Sequence, residues 1–377
     1  MTLLARAAAL ADVIGAEAAR SESDATLSPV VVDALYEAGL FGLMVPKELG
    51  GEEADLPTVI EVYEEVCRAD GSTGWTLLAN ATTSAFAGAY TGPAAIAAIF
   101  DGPRTPVAAG QFSPRGTAVR EGDAYRVSGN YSFGSGSAHA AWIGGGAFEL
   151  RDGEFVPGRT GMPMILAYFV PRDRVTFLDN WDVMGLAGTG SYDYEVPEQT
   201  VGEDFAFDLV NAEARRGGPV YRLGVLGLTA AGHAAFALGV GKRSLEELTR
   251  IVQTKHRLGA DPLRNQQLFR HDYAMHDAAM HAARAFVFES FATVQDVLEA
   301  GDDPSLVERQ RLRQATTYAT RVATDAVRFA YTAAGTDALR PSVLQRCFRD
   351  VHAATQHLVV DNNTLTETTR VLLGLES

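Results

Sequence analysis

Apolar residues return every three to four positions from residue 1 to about 100. They then alternate in short runs between 104 and about 206, and return every three to four positions to the end. The first spacing lines one face of a helix and the second lines one face of a strand. The pattern predicts an α+β chain, mostly α: a helical domain over 1–103, a β domain over 104–208 and a second helical domain over 209–377. Four or five short helices are expected in the first part. In SPVVVDALYEAGLF, Ser28 reads as the N-cap and Pro29 as the first helical residue, because proline has no N–H to lose there. The stretch DGPRTP ends the helical period, and AYRVSGNYSF, MILAYFV and YDYEV read as strands between glycine-rich turns. After RRGGP, helical segments over about 219–254, 262–299, 304–334 and 341–360 predict a four-helix bundle. A tail helix follows, with Thr364 and Glu367 as its capping box.

Composition narrows the partners. The chain has 377 residues, 47% of them apolar and 21% charged, with a net charge of −15. That charge argues against nucleic acid or anionic lipid, which need clustered Lys and Arg, and leaves a small organic or flavin ligand as the better fit. Cys67 and Cys347 both fall in helical patterns, so neither a disulfide framework nor a thiolate metal site is expected, and the chain reads as cytoplasmic. The amphipathic N-terminus carries acidic residues that a secretory signal would lack. The stretch LGVLGLTAAGHAAFALGVG could pass for a membrane span, but His233 and its many Gly and Ala favour a closely packed bundle helix, with no membrane partner.

The histidines give the first chemical leads. His271, His276 and His281 step by five, as do His352 and His357, so on a helix each pair is turned by about 140°. No His-x-x-x-His or Glu-x-x-His pair occurs, and no metal site is expected. No dinucleotide glycine fingerprint follows a strand, and neither a Walker loop nor a Gly-x-Ser-x-Gly elbow is present. Taken alone, GSGS at 134–137 reads as a turn.

Five stretches together carry a resemblance: LFGLMVPKELGG (40–51), RADGSTGW (68–75), VSGNYSFGSGSAHAAW (127–142), WDVMGLAGTGSYDY (181–194) and LQRCFRDVHAATQH (344–357). With the order of the three domains, they make the chain resemble the acyl-CoA dehydrogenase superfamily, and within it the flavin-dependent monooxygenases of two-component systems. The resemblance implies a helical N-terminal domain, a middle β-barrel domain and a C-terminal four-helix bundle. It also implies a homotetramer, reduced flavin (FADH2 or FMNH2) from a separate reductase, and O2 as co-substrate. An aromatic or otherwise apolar small molecule would be oxygenated through a flavin C4a-hydroperoxide.

Residue by residue, Phe133 and Ser135 match the Trp-x-Thr that covers the isoalloxazine and bonds its N5. Gln111 and Ser113, in AGQFSPRG, fall where the dehydrogenases press a Thr-Glu-Pro segment against the flavin. Lys255, in KHRLG, stands at a pyrophosphate-binding Arg position, and Gln267 at a later Gln. His357 matches a monooxygenase histidine that activates substrate, whereas His352 is expected to be structural or solvent-facing. Trp75, Thr83, Tyr221 and Leu358 are expected to line the substrate. Leu358 and Tyr221 also occupy the two places where dehydrogenases carry their catalytic Glu, so the usual base for α-proton removal is missing. The monooxygenases often have a further His after GSTGW, and Thr82 and Thr83 stand in that region here. An acyl-CoA dehydrogenase with tightly held FAD and a non-catalytic flavin-binding homologue are the two alternatives.

Overall fold

The structure is a computed structural model and describes every residue except 160, 256–258, 260, 376 and 377. Six α-helices form the first part: α1 (Leu3–Ala9), α2 (Ala11–Ser23), α3 (Pro29–Glu37), α4 (Leu56–Ala69), α5 (Gly71–Tyr90) and α6 (Pro93–Ile99). This exceeds the four or five expected, because Leu10 turns the N-terminal stretch into two helices and Gly92–Pro93 starts a separate α6. Ser28 caps α3 by accepting from Val31 N, with Pro29 in the first turn. Asp70 ends α4 and caps α5, accepting from both the backbone N and the hydroxyl of Thr73 at 2.9 Å. The motif RADGSTGW is therefore a helix-to-helix corner. A Cβ on Gly74 would lie 2.2 Å from Cys67 Sγ, so only glycine lets α5 fold back this closely on α4.

Eight strands follow: β1 (Ala108–Glu121), β2 (Ala124–Gly134), β3 (Trp142–Arg151), β4 (Glu154–Phe155), β5 (Ile165–Pro171), β6 (Thr176–Phe177), β7 (Tyr192–Gly202) and β8 (Ala206–Asp208). They form one sheet ordered β6-β7-β2-β1-β3-β5-β8, with β4 paired to β3, and only β1 and β3 run parallel. The path begins at β6 and ends at β8. The β1–β3 register slips between Gln111 and Gly116, around Pro114, which has no N–H to give the ladder.

The last part holds α7 (Gly224–Thr254), α8 (Gln267–Glu299), α9 (Leu306–Ala334), α10 (Val343–Ala354) and α11 (Asn363–Leu372). Helices α7 to α10 pack as the bundle, and α4 lies along α7. Two expectations fail here. Helix α10 stops at Ala354, so His357 lies in the following turn, as cap of a short 3-10 helix over Leu358–Val360. A helical rotation therefore does not relate it to His352. The tail capping box is also absent: Thr364 is inside α11 with its hydroxyl buried and unpartnered, while Asp361 accepts from Asn363 N at 2.7 Å.

Helix α7 is long and apolar enough to cross a membrane, yet 78% of its most apolar stretch is buried in the fold. Its glycines explain the packing. A Cβ on Gly239 would lie 2.4 Å from Glu64 O and 2.7 Å from Cys67 Cβ, so α4 and α7 touch backbone to backbone there. Gly239→Val is expected to force them apart and destabilise the protein by about 3 kcal/mol. A urea midpoint equal to wild type would contradict that contact.

Candidate active site

Four elements converge on one aromatic cluster. Trp75 on α5 is 8% exposed, and its indole Nε1–H donates to Ser135 Oγ at 3.2 Å. The same indole stands edge-on to His233 and Phe236 of α7, with ring centroids at 5.0 and 5.1 Å, and to His357 at 5.8 Å. His233 and His357 lie 4.1 Å apart, centroid to centroid. Ser135 and His357, expected to be catalytic, thus both touch Trp75, which was expected to touch substrate.

Ser135 is placed by a strained turn at the end of β2. Phe133 has φ +67° and Gly136 φ +70°, and Ser135 N donates to Phe133 O at 2.9 Å. A Cβ on Gly136 would lie 2.4 Å from Asn80 Oδ1, and Asn80 Nδ2 donates to Ala108 O at 3.1 Å, which pins the turn to α5 and β1. A non-glycine residue with positive φ persists only where its surroundings hold it. The result is that Phe133, edge-on to Trp181, is 64% exposed beside Ser135.

A chain of hydroxyls runs from Ser135 into the loop before β7. Thr189 Oγ1 donates to Leu186 O at 2.7 Å, Ser191 Oγ lies 2.7 Å from Thr189 Oγ1, and Ser135 Oγ lies 2.7 Å from Ser191 Oγ. Each hydroxyl has one proton. Since Thr189 spends its proton on a carbonyl, Ser191 donates to Thr189 and Ser135 donates to Ser191. Ser135 also accepts from Trp75, which leaves one lone pair on its oxygen. That fits a reduced flavin, whose N5 carries an N–H, and the exposed face of Phe133 fits its flat ring.

The loop is bolted down by the Arg–Asp pair of α10. Leu186, with φ +57°, donates its N–H to Asp350 Oδ1 at 2.6 Å, and Arg349 Nη1 donates to Met184 O at 3.1 Å. Arg349 also pairs with Glu22, and Arg346 Nε lies 3.2 Å from Asp70 Oδ1. Burial, with the nearby Asp70 carboxylate adding to it, pushes the Asp350 carboxyl up to about 7. In the unfolded chain this group releases its proton near the ordinary 3.8, whereas the folded chain holds it to about 7. Its contribution to stability is therefore present below the lower value and lost as pH rises through the upper one. Asp350→Asn, which keeps the acceptor for Leu186, is expected to flatten that loss. Urea midpoints at acid and alkaline pH check this, and an unchanged slope would count against it.

Hydrogen bonds also fix the imidazoles. His233 Nδ1 lies 3.0 Å from Thr229 O, and because a carbonyl only accepts, Nδ1 carries the proton and Nε2 is a bare lone pair. That Nε2 is buried without a partner. His357 Nδ1 accepts from Val359 N at 3.2 Å, so in the neutral ring its proton sits on Nε2. Burial lowers His233 to about 4. Burial, then His233, holds His357 well below the ordinary imidazole value. Among the described residues, no carboxylate bonds to either ring.

The other expected residues divide. Gln111 and Ser113 sit at the β1 slip, where Ser113 N donates to Gln111 Oε1 at 2.6 Å. Leu358 is 71% exposed next to His357, and Thr83 is buried on α5. Tyr221, expected to line the substrate, is fully buried: its hydroxyl donates to Met44 O, and its carbonyl accepts from Tyr90 OH, both at 2.6 Å. Lys255 pairs with Asp337 at 2.6 Å, so its charge is already answered within the chain. Of KHRLG, residues 256–258 lie outside the described residues. Gln267 is exposed at the start of α8. Lys255 follows the last residue of α7 and lies about two thirds of that helix beyond His233, roughly 30 Å at 1.5 Å per residue, so it stands far from the aromatic cluster of its own chain. His352 bonds Phe348 O at 2.7 Å and lies against that ring, centroids 4.2 Å apart and tilted by 37°. Among the described residues, no group of three or more His, Cys, Asp or Glu could hold a metal ion.

Sequence reasoning missed His233, Thr189 and Ser191. The only signal for His233 was an imidazole inside a Gly- and Ala-rich apolar helix.

The acyl-CoA dehydrogenase N-terminal domain model matches residues 4–93, and the acyl-CoA dehydrogenase C-terminal domain model matches residues 231–362. Indole-3-acetate monooxygenase of Pseudomonas putida is 30% identical over 341 residues, covering 90% of this chain and 85% of that protein. The flavin-dependent monooxygenase, oxygenase subunit HsaA, of Rhodococcus jostii is 25% identical over 354 residues, covering 87% of this chain and 86% of that protein. The fold also superposes on XiaF from Streptomyces sp., solved in complex with FADH2 and glycerol. There the TM-score is 0.88 at 22% identity, over 99% of this chain and 95% of that one.

Proposed function

The chain belongs to the acyl-CoA dehydrogenase superfamily, in its branch of flavin-dependent monooxygenases, and from that premise we propose that it oxygenates an aromatic small molecule held against Trp75, His233 and His357. The observation that carries this reading is a buried aromatic site with two neutral imidazoles and, among the described residues, no carboxylate bonded to them. Such a site lacks the carboxylate that removes a carbon-bound α-proton from a thioester in the dehydrogenases, but it suits the polar edge of a flat ring.

Reduced flavin, when bound, supplies the electrons and the surface on which O2 is activated. Phe133 would face its ring and Ser135 would accept from its N5–H, with Trp75, Ser191 and Thr189 fixing the direction of that bond. Buried Trp75 and Phe236 keep water from the face where substrate lies. A separate reductase would deliver the flavin, as FADH2 or FMNH2, to a homotetramer in the cytoplasm. Two buried free cysteines are in keeping with a reducing compartment. The remoteness of Lys255 from the cluster is in keeping with a flavin shared between subunits.

The deciding experiment supplies the protein with chemically reduced FMN or FAD, labelled oxygen gas, and indole or phenol. Labelled oxygen in the aromatic product is the expected result. Reoxidation of flavin to peroxide with every ring tested, together with bleaching of protein-bound FAD by an acyl-CoA, would instead establish a dehydrogenase.

A further inference from the structure

We propose that His233 Nε2 is the hydrogen-bond acceptor for a ring N–H or O–H of the substrate, and that His357 is the complementary donor rather than the base. The inference rests on the monooxygenase reading for the identity of the ligand, and on the structure for the two roles.

The division of labour follows from backbone partners alone. Thr229 O holds the proton of His233 on Nδ1, and Val359 N–H occupies the lone pair of His357 on Nδ1. Each ring therefore has only its Nε2 left, a lone pair on His233 and an N–H on His357. The His233 side is the more demanding. The residue is 4% exposed, and its Nε2 is buried with no partner among the described residues. A buried acceptor without a donor is costly, and water has little access to relieve it. Neither imidazole can satisfy the other: the rings lie 4.1 Å apart, tilted by 38°, with no hydrogen bond between them.

The surroundings say what shape brings the missing donor. Trp75 meets both histidines and Phe236 edge-on. Aromatic groups of this kind pack favourably against a flat ring. A hydroxyl on that ring can donate to His233 and accept from His357, satisfying both; a ring N–H can donate to His233 only. A ring with a methyl group in place of that hydrogen leaves His233 unsatisfied, and sites built around a buried polar partner reject such analogues strongly.

The test measures binding of indole and of 1-methylindole to the full chain by calorimetry, in wild type, His233→Leu and His357→Leu. Wild type is expected to prefer indole at least about tenfold. His233→Leu should bring the ratio close to one, and His357→Leu should keep it, because an N–H has no use for a second donor. A ratio that survives in His233→Leu, or that vanishes in His357→Leu, overturns the assignment. So does failure of indole to bind wild type. Should His233→Leu not fold, nitrogen NMR of labelled wild-type histidines decides: His233 must show its proton on Nδ1 and His357 on Nε2, and the reverse pattern overturns it. Failure of the two readings is distinguishable. Labelled oxygen in product with an unchanged ratio in His233→Leu removes only this assignment. A collapsed ratio without any oxygen transfer removes only the monooxygenase reading.

Discussion

His357→Ala is expected to lower aromatic oxygenation by about 10²-fold or more while leaving flavin affinity near wild type. The side chain lines the aromatic cluster through one Nε2–H, and its Nδ1 only caps the short turn over Leu358–Val360. Alanine removes the Nε2–H from the cluster and one turn hydrogen bond, the latter worth about 1 kcal/mol of stability. Product formed per flavin oxidised is the quantity to measure. His357→Gln, which retains a side-chain N–H, is expected to recover part of the loss. If both variants match wild type in product yield and differ only in urea midpoint, His357 is structural. The pH profile adds a second check. Because burial pushes both imidazoles down, their neutral forms persist on the acid side, and for His233 until the pH approaches about 4. No loss of activity is expected near the ordinary imidazole range.

Gly185→Ala is expected to weaken flavin binding and stability together. A Cβ there would lie 2.1 Å from Arg349 O, 2.3 Å from Arg349 C and 2.8 Å from Asp350 N. These are backbone atoms and cannot swing aside as a side-chain end could, so the loop must lift from α10 at a cost of about 3 kcal/mol. Lifting stretches the bond from Leu186 N to Asp350, and through Thr189 and Ser191 it loosens Ser135. Titration with reduced FMN and a urea midpoint on the same sample read the two effects. Lower stability with unchanged flavin affinity would show that the hydroxyl chain does not depend on the bolt.

The helical, β, helical order was legible because apolar spacing reports which faces are buried, and long helices such as α7 and α9 carry that signal over many turns. Ends were less legible. Helix α10 stops at Ala354 although VHAATQHLVV keeps its apolar content, since Thr355 bonds back to His352 O and the chain turns there. The site was half legible. Ser135, Phe133 and His357 stand in stretches whose resemblance could be read along the chain. His233 could not be read that way, because its meaning comes from a ring 4.1 Å away and 124 positions later. Tyr221 shows the converse: its position along the chain matches a functional one, while its hydroxyl is engaged by Met44 O, a bond invisible in the sequence.

The bond between Leu186 and Asp350 also sets an order of events during synthesis. Its two ends are 164 residues apart. At about 5–20 residues per second, the loop that orients Ser135 waits roughly 10–30 s after leaving the ribosome before its anchor is made. The helices of the first part and most of the sheet can form in that interval. The turn that carries Ser135 gains its final support only when α10 emerges, so its geometry is among the last parts of the fold to be fixed.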